Sequence, residues 1–79
     1  MEVYIVEQVY EGYEAVFSTL DKAIEFTKDE NHLDYGEYRI FKEYIDRPKT
    51  IPILMAYVKY GVVELEKENE QWRLNMKDR

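Results

Sequence analysis

Short runs rich in valine, isoleucine and tyrosine make up much of this chain, whereas helical spacing dominates one segment. The runs at 3–10, 13–17 and 38–44 are separated by polar or glycine-containing stretches, as strands joined by turns are. Residues 18–30 instead place apolar side chains three and four positions apart, as a helix with one buried face does. The 79 residues have the length of one domain. We therefore expect residues 1–79 to form one α+β domain: a small, mostly antiparallel sheet with one main helix, in the order β-hairpin, helix, strand, short helix or strand, β-hairpin.

The first two strands predict a hairpin around Glu11-Gly12. With a two-residue loop, Tyr10 faces Tyr13 and Val6 faces Phe17, while a three-residue loop with a glycine bulge changes this register. One face of the hairpin then carries the following side chains: Tyr4, Val6, Gln8, Tyr10, Tyr13, Ala15 and Phe17. The opposite face is also rich in apolar groups: Val3, Ile5, Val9 and Val16. That second face is too apolar for an open sheet surface, so we expect the C-terminal hairpin or a second copy of the chain to cover it.

Helix signals begin at Ser18, which we predict as the N-cap, with Asp21 three residues on as its capping-box partner. The predicted buried stripe has the spacing i, i+3, i+4, i+7 and consists of Leu20, Ala23, Ile24 and Thr27. We expect the helix to end near Glu30, followed by a polar loop at 29–37.

The segment 51–60 fits two structures. Thr50 as an N-cap, Pro52 in the first turn and Gly61 as a stop favour a short helix, although the apolar run is also typical of a buried strand. We favour the helix. Further on, a turn at Glu68-Asn69 predicts a second hairpin in which Leu65 faces Trp72, Glu64 faces Arg73 and Lys67 faces Glu70. Val63, Leu65, Trp72 and Leu74 then share one face, and Trp72 is expected in the core.

Acidic residues are concentrated in the first part of the chain. Residues 1–46 hold 12 acids and 4 bases, a net charge of −8, whereas residues 47–79 hold 5 acids and 7 bases, a net charge of +2. Carboxylates spaced along a strand or loop add into a local field that attracts basic partners. Tyrosines beside turns can add apolar contact area. We therefore predict the following partner-binding residues: Glu7, Glu11, Glu14, Asp29, Glu30, Asp34, Glu37, Tyr10, Tyr13 and Tyr35.

Residues 3–46 resemble a family of short proteins of unknown function from bacteriophages and Gram-positive bacteria. The resemblance rests on Val-Tyr-Ile-Val-Glu at 3–7, on Val-Phe-Ser-Thr leading into a Lys-Ala-containing helix at 16–23, and on a strand with Tyr38, Ile40 and Tyr44. Tyr44 comes one residue later than the family pattern. The resemblance implies a phage setting, in which small acidic proteins often bind and disable host machinery. It implies no catalytic or cofactor residue.

The residues needed for catalysis are sparse. The chain has no cysteine, a single histidine, His32, and a single serine, Ser18, which is better used as a cap. Its three glycines are isolated, so no phosphate-binding loop is predicted. The acids around His32 do not have the spacing of a calcium loop. We expect no enzyme activity, no cofactor and no metal. We also expect no signal peptide, no membrane span and a cytoplasmic location, because the longest apolar run, 51–58, is far shorter than the ~20 residues a span needs.

These observations predict a small non-enzymatic acidic binding protein. The leading interpretation is a phage-encoded inhibitor or modulator that binds a basic surface of a host nucleic-acid-handling protein, such as RNA polymerase, a nucleoid protein or a replication factor. Its carboxylates would replace phosphates, as in DNA mimicry, and direct nucleic-acid binding is not expected because the chain itself is acidic. The alternative is a homodimeric protein–protein interaction module that uses its apolar sheet face.

Overall fold

The described residues form a six-stranded antiparallel sheet with one helix, so strands dominate an α+β architecture. The computed structural model describes residues 1–28, 36–47, 51–68 and 71–74. The elements are β1 Glu2–Gln8, β2 Gly12–Phe17, α1 Leu20–Lys28, β3 Glu37–Tyr44, β4 Ile53–Lys59, β5 Val62–Glu68 and β6 Gln71–Leu74. The strand order is β2-β1-β3-β4-β5-β6. The C-terminal hairpin β5–β6 therefore extends the sheet at its edge.

The core lies on one side of the sheet, under α1. Ala23, Ile24 and Thr27 of α1 are buried, and Leu20 packs against the same cluster, which confirms the predicted helical stripe. The strand residues of this core lie on alternate positions of three central strands, as side chains on one face of a sheet must. These strand residues are Val6, Tyr38, Ile40, Ala56 and Val58.

Thr19, and not Ser18, is the N-cap of α1. The backbone N–H of Lys22 donates to Thr19 Oγ1 at 3.2 Å, and the N–H of Ala23 donates to the Thr19 carbonyl oxygen at 3.2 Å. The prediction was one residue early, because serine and threonine cap helices almost equally well. Asp21 consequently lies in the first turn of α1 and not at the capping-box position. In the first turn its negative charge interacts favourably with the positive end of the helix dipole.

The first hairpin has a three-residue loop, so of the two alternatives left open by the sequence the longer loop forms, and the register of the two-residue loop does not. Gln8 pairs with Gly12, the N–H of Glu11 donates to the Gln8 carbonyl oxygen at 3.1 Å, and the buried Gln8 side chain accepts from the Tyr10 N–H at 3.0 Å. A bulge then shifts the register between Val6 and Glu7, where Val6 pairs with Ala15 but Glu7 pairs with Tyr13. The bulge turns Tyr13 away from the core side of the sheet.

Segment 51–60 contains strand β4, which corrects the preference for a helix. Its residues pair with both β3 and β5, and Ala56 and Val58 are fully buried beneath α1. The apolar run is thus a central strand, and pairing on both sides outweighs the helix-like signals at its ends. Tyr60-Gly61 forms the turn into β5.

The second hairpin is confirmed as a hairpin, but its predicted register was wrong by two residues. Leu65 pairs with Leu74, Lys67 with Trp72 and Glu66 with Arg73, so the predicted pairing of Glu64 with Arg73 is not formed. The predicted pairing of Lys67 with Glu70 is also absent from this register. Trp72 was expected in the core, but it is 45% exposed on the edge strand, with the Lys67 ammonium 6.0 Å from its ring centre.

A bulge between β4 and β5 separates two residues that were predicted to share a face. Val63 pairs with Val58 and packs against the core, whereas Leu65 pairs with Tyr57. Because Tyr57 and Val58 are successive residues of one strand, they point to opposite sides of the sheet. Leu65 therefore lies on the side of the sheet that faces away from α1.

Candidate interaction surface

The side of the sheet opposite α1, here called the outer face, has no covering element in the described part of the chain. Within residues 1–28, 36–47, 51–68 and 71–74, α1 is the only helix, and every strand belongs to the same sheet. The expectation that the C-terminal hairpin covers the apolar face of β1–β2 is therefore wrong, because that hairpin lies beside β4 at the other end of the sheet.

An apolar row crosses four strands on the outer face. Ile5 of β1 pairs with Val16 of β2 on one side and with Phe41 of β3 on the other, and Phe41 pairs in turn with Leu54 of β4. Direct cross-strand partners lie ~5 Å apart, so these four side chains form a continuous strip. Each is at least partly exposed, and Val16 is 45% exposed. We call this strip the apolar row.

A second row beside it mixes polar and apolar groups. It follows the partners Tyr13, Glu7, Arg39, Tyr57 and Leu65 across five strands. Residues two apart on a strand are ~6.6 Å apart, so this mixed row lies next to the apolar row. Between the rows is a shallow groove of about 220 Å³, lined by Ile5, Glu7, Tyr13, Phe41 and Pro52.

The charges of the mixed row are matched within the sheet. Arg39 Nη2 lies 2.6 Å from Glu7 Oε1, and the guanidinium is 6.0 Å from the centre of the Phe41 ring. Both ionic side chains remain partly exposed, at 42% for Arg39 and 34% for Glu7. Glu7, which was predicted as a partner-binding acid, thus has a basic partner within the sheet.

A short hydrogen bond joins Tyr57 of the mixed row to Glu37 on the neighbouring strand. The Tyr57 hydroxyl donates to Glu37 Oε2 at 2.6 Å. This bond to a carboxylate, together with burial, raises the pKa of Tyr57 to about 12. Tyr57 is therefore a protonated hydrogen-bond donor at neutral pH.

The predicted partner-binding residues divide into three groups. Glu7 and Glu37 lie on the outer face with the partners given above. Glu11, Glu14, Tyr10 and Tyr13 are exposed around the β1–β2 hairpin, Tyr10 at 78% and Tyr13 at 68%. Asp29, Glu30, Asp34 and Tyr35, together with His32, lie outside the described residues.

The structure brings the hairpin loop and Glu37 to one end of the sheet. The backbone N–H of Val9 donates to the Glu37 carbonyl oxygen at 3.0 Å, and Gln8 pairs with Tyr38. Glu37 and the loop that carries Tyr10 and Glu11 are thus neighbours, although about 26 residues separate them in the sequence. The sequence grouped these residues by their charge alone. Their proximity depends on the pairing of β1 with β3, which the sequence does not specify.

Phe41, Leu54 and Arg39 were not identified from the sequence as parts of a surface. The alternation in residues 38–44 could have indicated that Phe41 and Arg39 lie on the outer face. Both occupy odd-numbered positions, whereas the buried Tyr38 and Ile40 occupy even-numbered ones. Leu54 had no such signal while its segment was interpreted as a helix.

Neither a metal site nor a membrane-spanning helix is found among the described residues. Within the described ranges, no group of three or more histidine, cysteine, aspartate or glutamate side chains is placed to hold a metal ion. The longest helix there, α1, has nine residues, and none has the length and apolarity needed to cross a membrane.

No family model matches the chain, and neither curated proteins nor solved structures give a significant match. The resemblance of residues 3–46 to a phage family stays a prediction. Any function must accordingly be argued from the surfaces described above.

Proposed function

We propose that this chain is a small non-enzymatic protein-binding module whose binding surface is the outer face of its sheet. The observation that carries the proposal is the apolar row, in which Val16, Ile5, Phe41 and Leu54 are cross-strand partners on a face that no described element covers. Isolated apolar side chains are ordinary on protein surfaces, but a contiguous strip rimmed by polar groups is typical of an interaction site.

The polar groups of the outer face support binding over catalysis. Arg39 is engaged by Glu7, and Tyr57 is engaged by Glu37. A general base needs a pKa near the working pH, whereas the pKa of Tyr57 is raised to about 12. Within each pair the two side chains hold each other in place. Together the two pairs form a polar rim of the kind found around the centres of interfaces.

Differential capture from a cell lysate to which the untagged chain has been added tests the proposal, because both other proteins and a second copy can then be retained. The baits are the wild-type chain, Phe41→Lys in the apolar row, and the matched control Ile51→Lys. Ile51 is 82% exposed and lies just before β4, two residues from Ile53, which pairs with Lys42 away from the outer face. We expect one set of proteins to be retained by wild type and Ile51→Lys and lost with Phe41→Lys. Equal retention by all three folded baits would contradict the proposal.

A second candidate function is binding of a basic protein surface by the acidic hairpin, as in phosphate mimicry by a phage-encoded inhibitor of a nucleic-acid-handling protein. The observation that favours it is the exposure of Glu11 and Glu14 beside the exposed rings of Tyr10 and Tyr13. Glu7 no longer belongs to this set, because it is paired with Arg39.

The acidic-hairpin candidate has its own test. The double variant Glu11→Lys/Glu14→Lys should slow association with a basic partner, and raised salt should weaken the wild-type complex. The control is Asp21→Lys/Glu25→Lys on exposed positions of α1, which changes the net charge equally at a different place. Equal slowing by both double variants would show a net-charge effect and would contradict a specific hairpin site.

A further inference from the structure

We infer that the partner of the outer face is a second copy of this chain. The inference rests on the proposed function, since it names the occupant of the same surface. Two observations support it: the charge of the outer face compared with that of the whole chain, and the size of that face.

The outer face is close to neutral although the chain carries a net charge of −6. Outside the bulges, the strand registers place three acids and three bases on it, namely Glu7, Glu37, Glu43, Arg39, Lys59 and Lys67. Two further acids, Glu14 and Glu64, lie at bulges, and Glu64 is close enough to Tyr57 to help raise its pKa. Two acidic chains repel each other wherever unbalanced carboxylates meet. Two copies that meet through their outer faces avoid most of this repulsion. Two copies that meet through the exposed acids of the hairpin loop or of α1 do not.

The same balance argues against a strongly basic partner at this face. A basic surface gains most where carboxylates lack bases, and Glu7 already has Arg39 at 2.6 Å. A surface on which most acids are matched by bases is instead suited to an identical surface, because a twofold contact can set acids of one copy against bases of the other.

The size of the outer face matches what a stable dimer needs. Six strands ~4.8 Å apart span ~24 Å, and seven-residue strands are ~23 Å long, so the flat area is roughly 550 Å². The whole chain exposes 5766 Å². Stable interfaces take ~800 Å² of accessible surface from each partner, about a tenth of a small protein's surface, and side chains raise the accessible area of a sheet above its flat area.

Sedimentation equilibrium over a concentration series, at low and high salt, tests the inference. We expect the wild-type chain to pass from monomer to dimer as concentration rises, with an equal or lower dissociation constant at high salt, because salt screens the repulsion between acidic chains. Phe41→Lys should raise the dissociation constant by tenfold or more, and so should Leu54→Lys. Ile51→Lys should leave it within about twofold of wild type.

A wild-type chain that stays monomeric at the highest concentration in both salts would overturn the inference without reference to any variant. So would a dimer that persists unchanged in folded Phe41→Lys and Leu54→Lys. Circular dichroism of each variant establishes whether it is folded. Failure here is distinguishable from failure of the proposed function: a monomer whose capture of another protein is lost with Phe41→Lys would keep the outer face as the binding surface but change its occupant.

Discussion

The Tyr57 hydroxyl donates a 2.6 Å hydrogen bond to a carboxylate oxygen of Glu37, which joins β3 to β4 on the outer face. The two residues are diagonal neighbours, since Tyr57 pairs with Arg39 and Glu37 pairs with Lys59. The bond holds the Tyr57 ring in the mixed row, between Arg39 and Leu65, and keeps its hydroxyl protonated.

Replacing Tyr57 by phenylalanine should lower the free energy of unfolding by about 1–2 kcal/mol, since a hydrogen bond to a charged group is lost. The pKa of Tyr57 is raised from 10.0 to about 12, so the stabilisation is fully present below pH 10 and disappears as pH rises through 12. Urea unfolding of both proteins at a series of pH values measures the difference. A difference that stays constant to the highest pH would contradict the assignment.

The Glu7–Arg39 pair should give a coupling free energy of about 0.5 kcal/mol in a double-mutant cycle of Glu7→Gln and Arg39→Met. The value is small because both side chains are about a third or more exposed and solvent screens them. The more distant pair Glu2–Lys42, at 3.6 Å, serves as a control with a smaller expected coupling. Chemical denaturation at low salt measures both cycles, and an equal or larger value for the control pair would contradict the geometry.

Thr19→Ala should destabilise the fold by about 1 kcal/mol, because the Lys22 N–H loses its side-chain acceptor. Ser18→Ala is the matched control, since it removes a neighbouring hydroxyl that is not the cap, and its effect should stay below about 0.5 kcal/mol. Thermal unfolding compares the two. The reverse order of effects would place the helix start one residue earlier, at the position predicted from the sequence.

Gly36→Ala should be more destabilising than Gly12→Ala. Both glycines have positive φ, 85° and 95°, so a side chain costs about 1 kcal/mol at either position. At Gly36 the added Cβ would also lie 2.7 Å from Cε1 of Tyr60, whereas at Gly12 nothing is within 4 Å. Adding Tyr60→Ala to Gly36→Ala should recover the excess, measured by urea unfolding. No recovery would show that the strain comes from the backbone alone.

Local patterns predicted the elements that depend on local spacing. The stripe from Leu20 to Thr27 is buried because helical neighbours three and four apart must share a face, whatever packs on them. The alternation of 38–44 likewise identified β3, and the exposure of Tyr10 and Tyr13 agrees with their positions beside a turn.

Features set by pairing between distant segments were not predictable in this way. A single bulge residue reverses which side the following side chains face, and that decided the positions of Tyr13 and Leu65. Segment 51–60 became β4 because β3 and β5 flank it, and neither pairing is visible in its own residues. The apolar row is formed by pairing between strands that are distant in the sequence. Val16 and Ile5 were therefore identified from the sequence as apolar face residues, but their partners Phe41 and Leu54 were not.

The most direct test of the outer face as the place where two copies meet is an isotope-filtered nuclear Overhauser experiment on an equal mixture of labelled and unlabelled chains. We predict contacts between copies from the methyl groups of Ile5 and Leu54 to the ring of Phe41. The absence of contacts between copies at millimolar concentration would contradict the account. So would contacts confined to the groove of about 420 Å³ between α1 and β2, where the rings of Phe17 and Phe26 lie 5.4 Å apart.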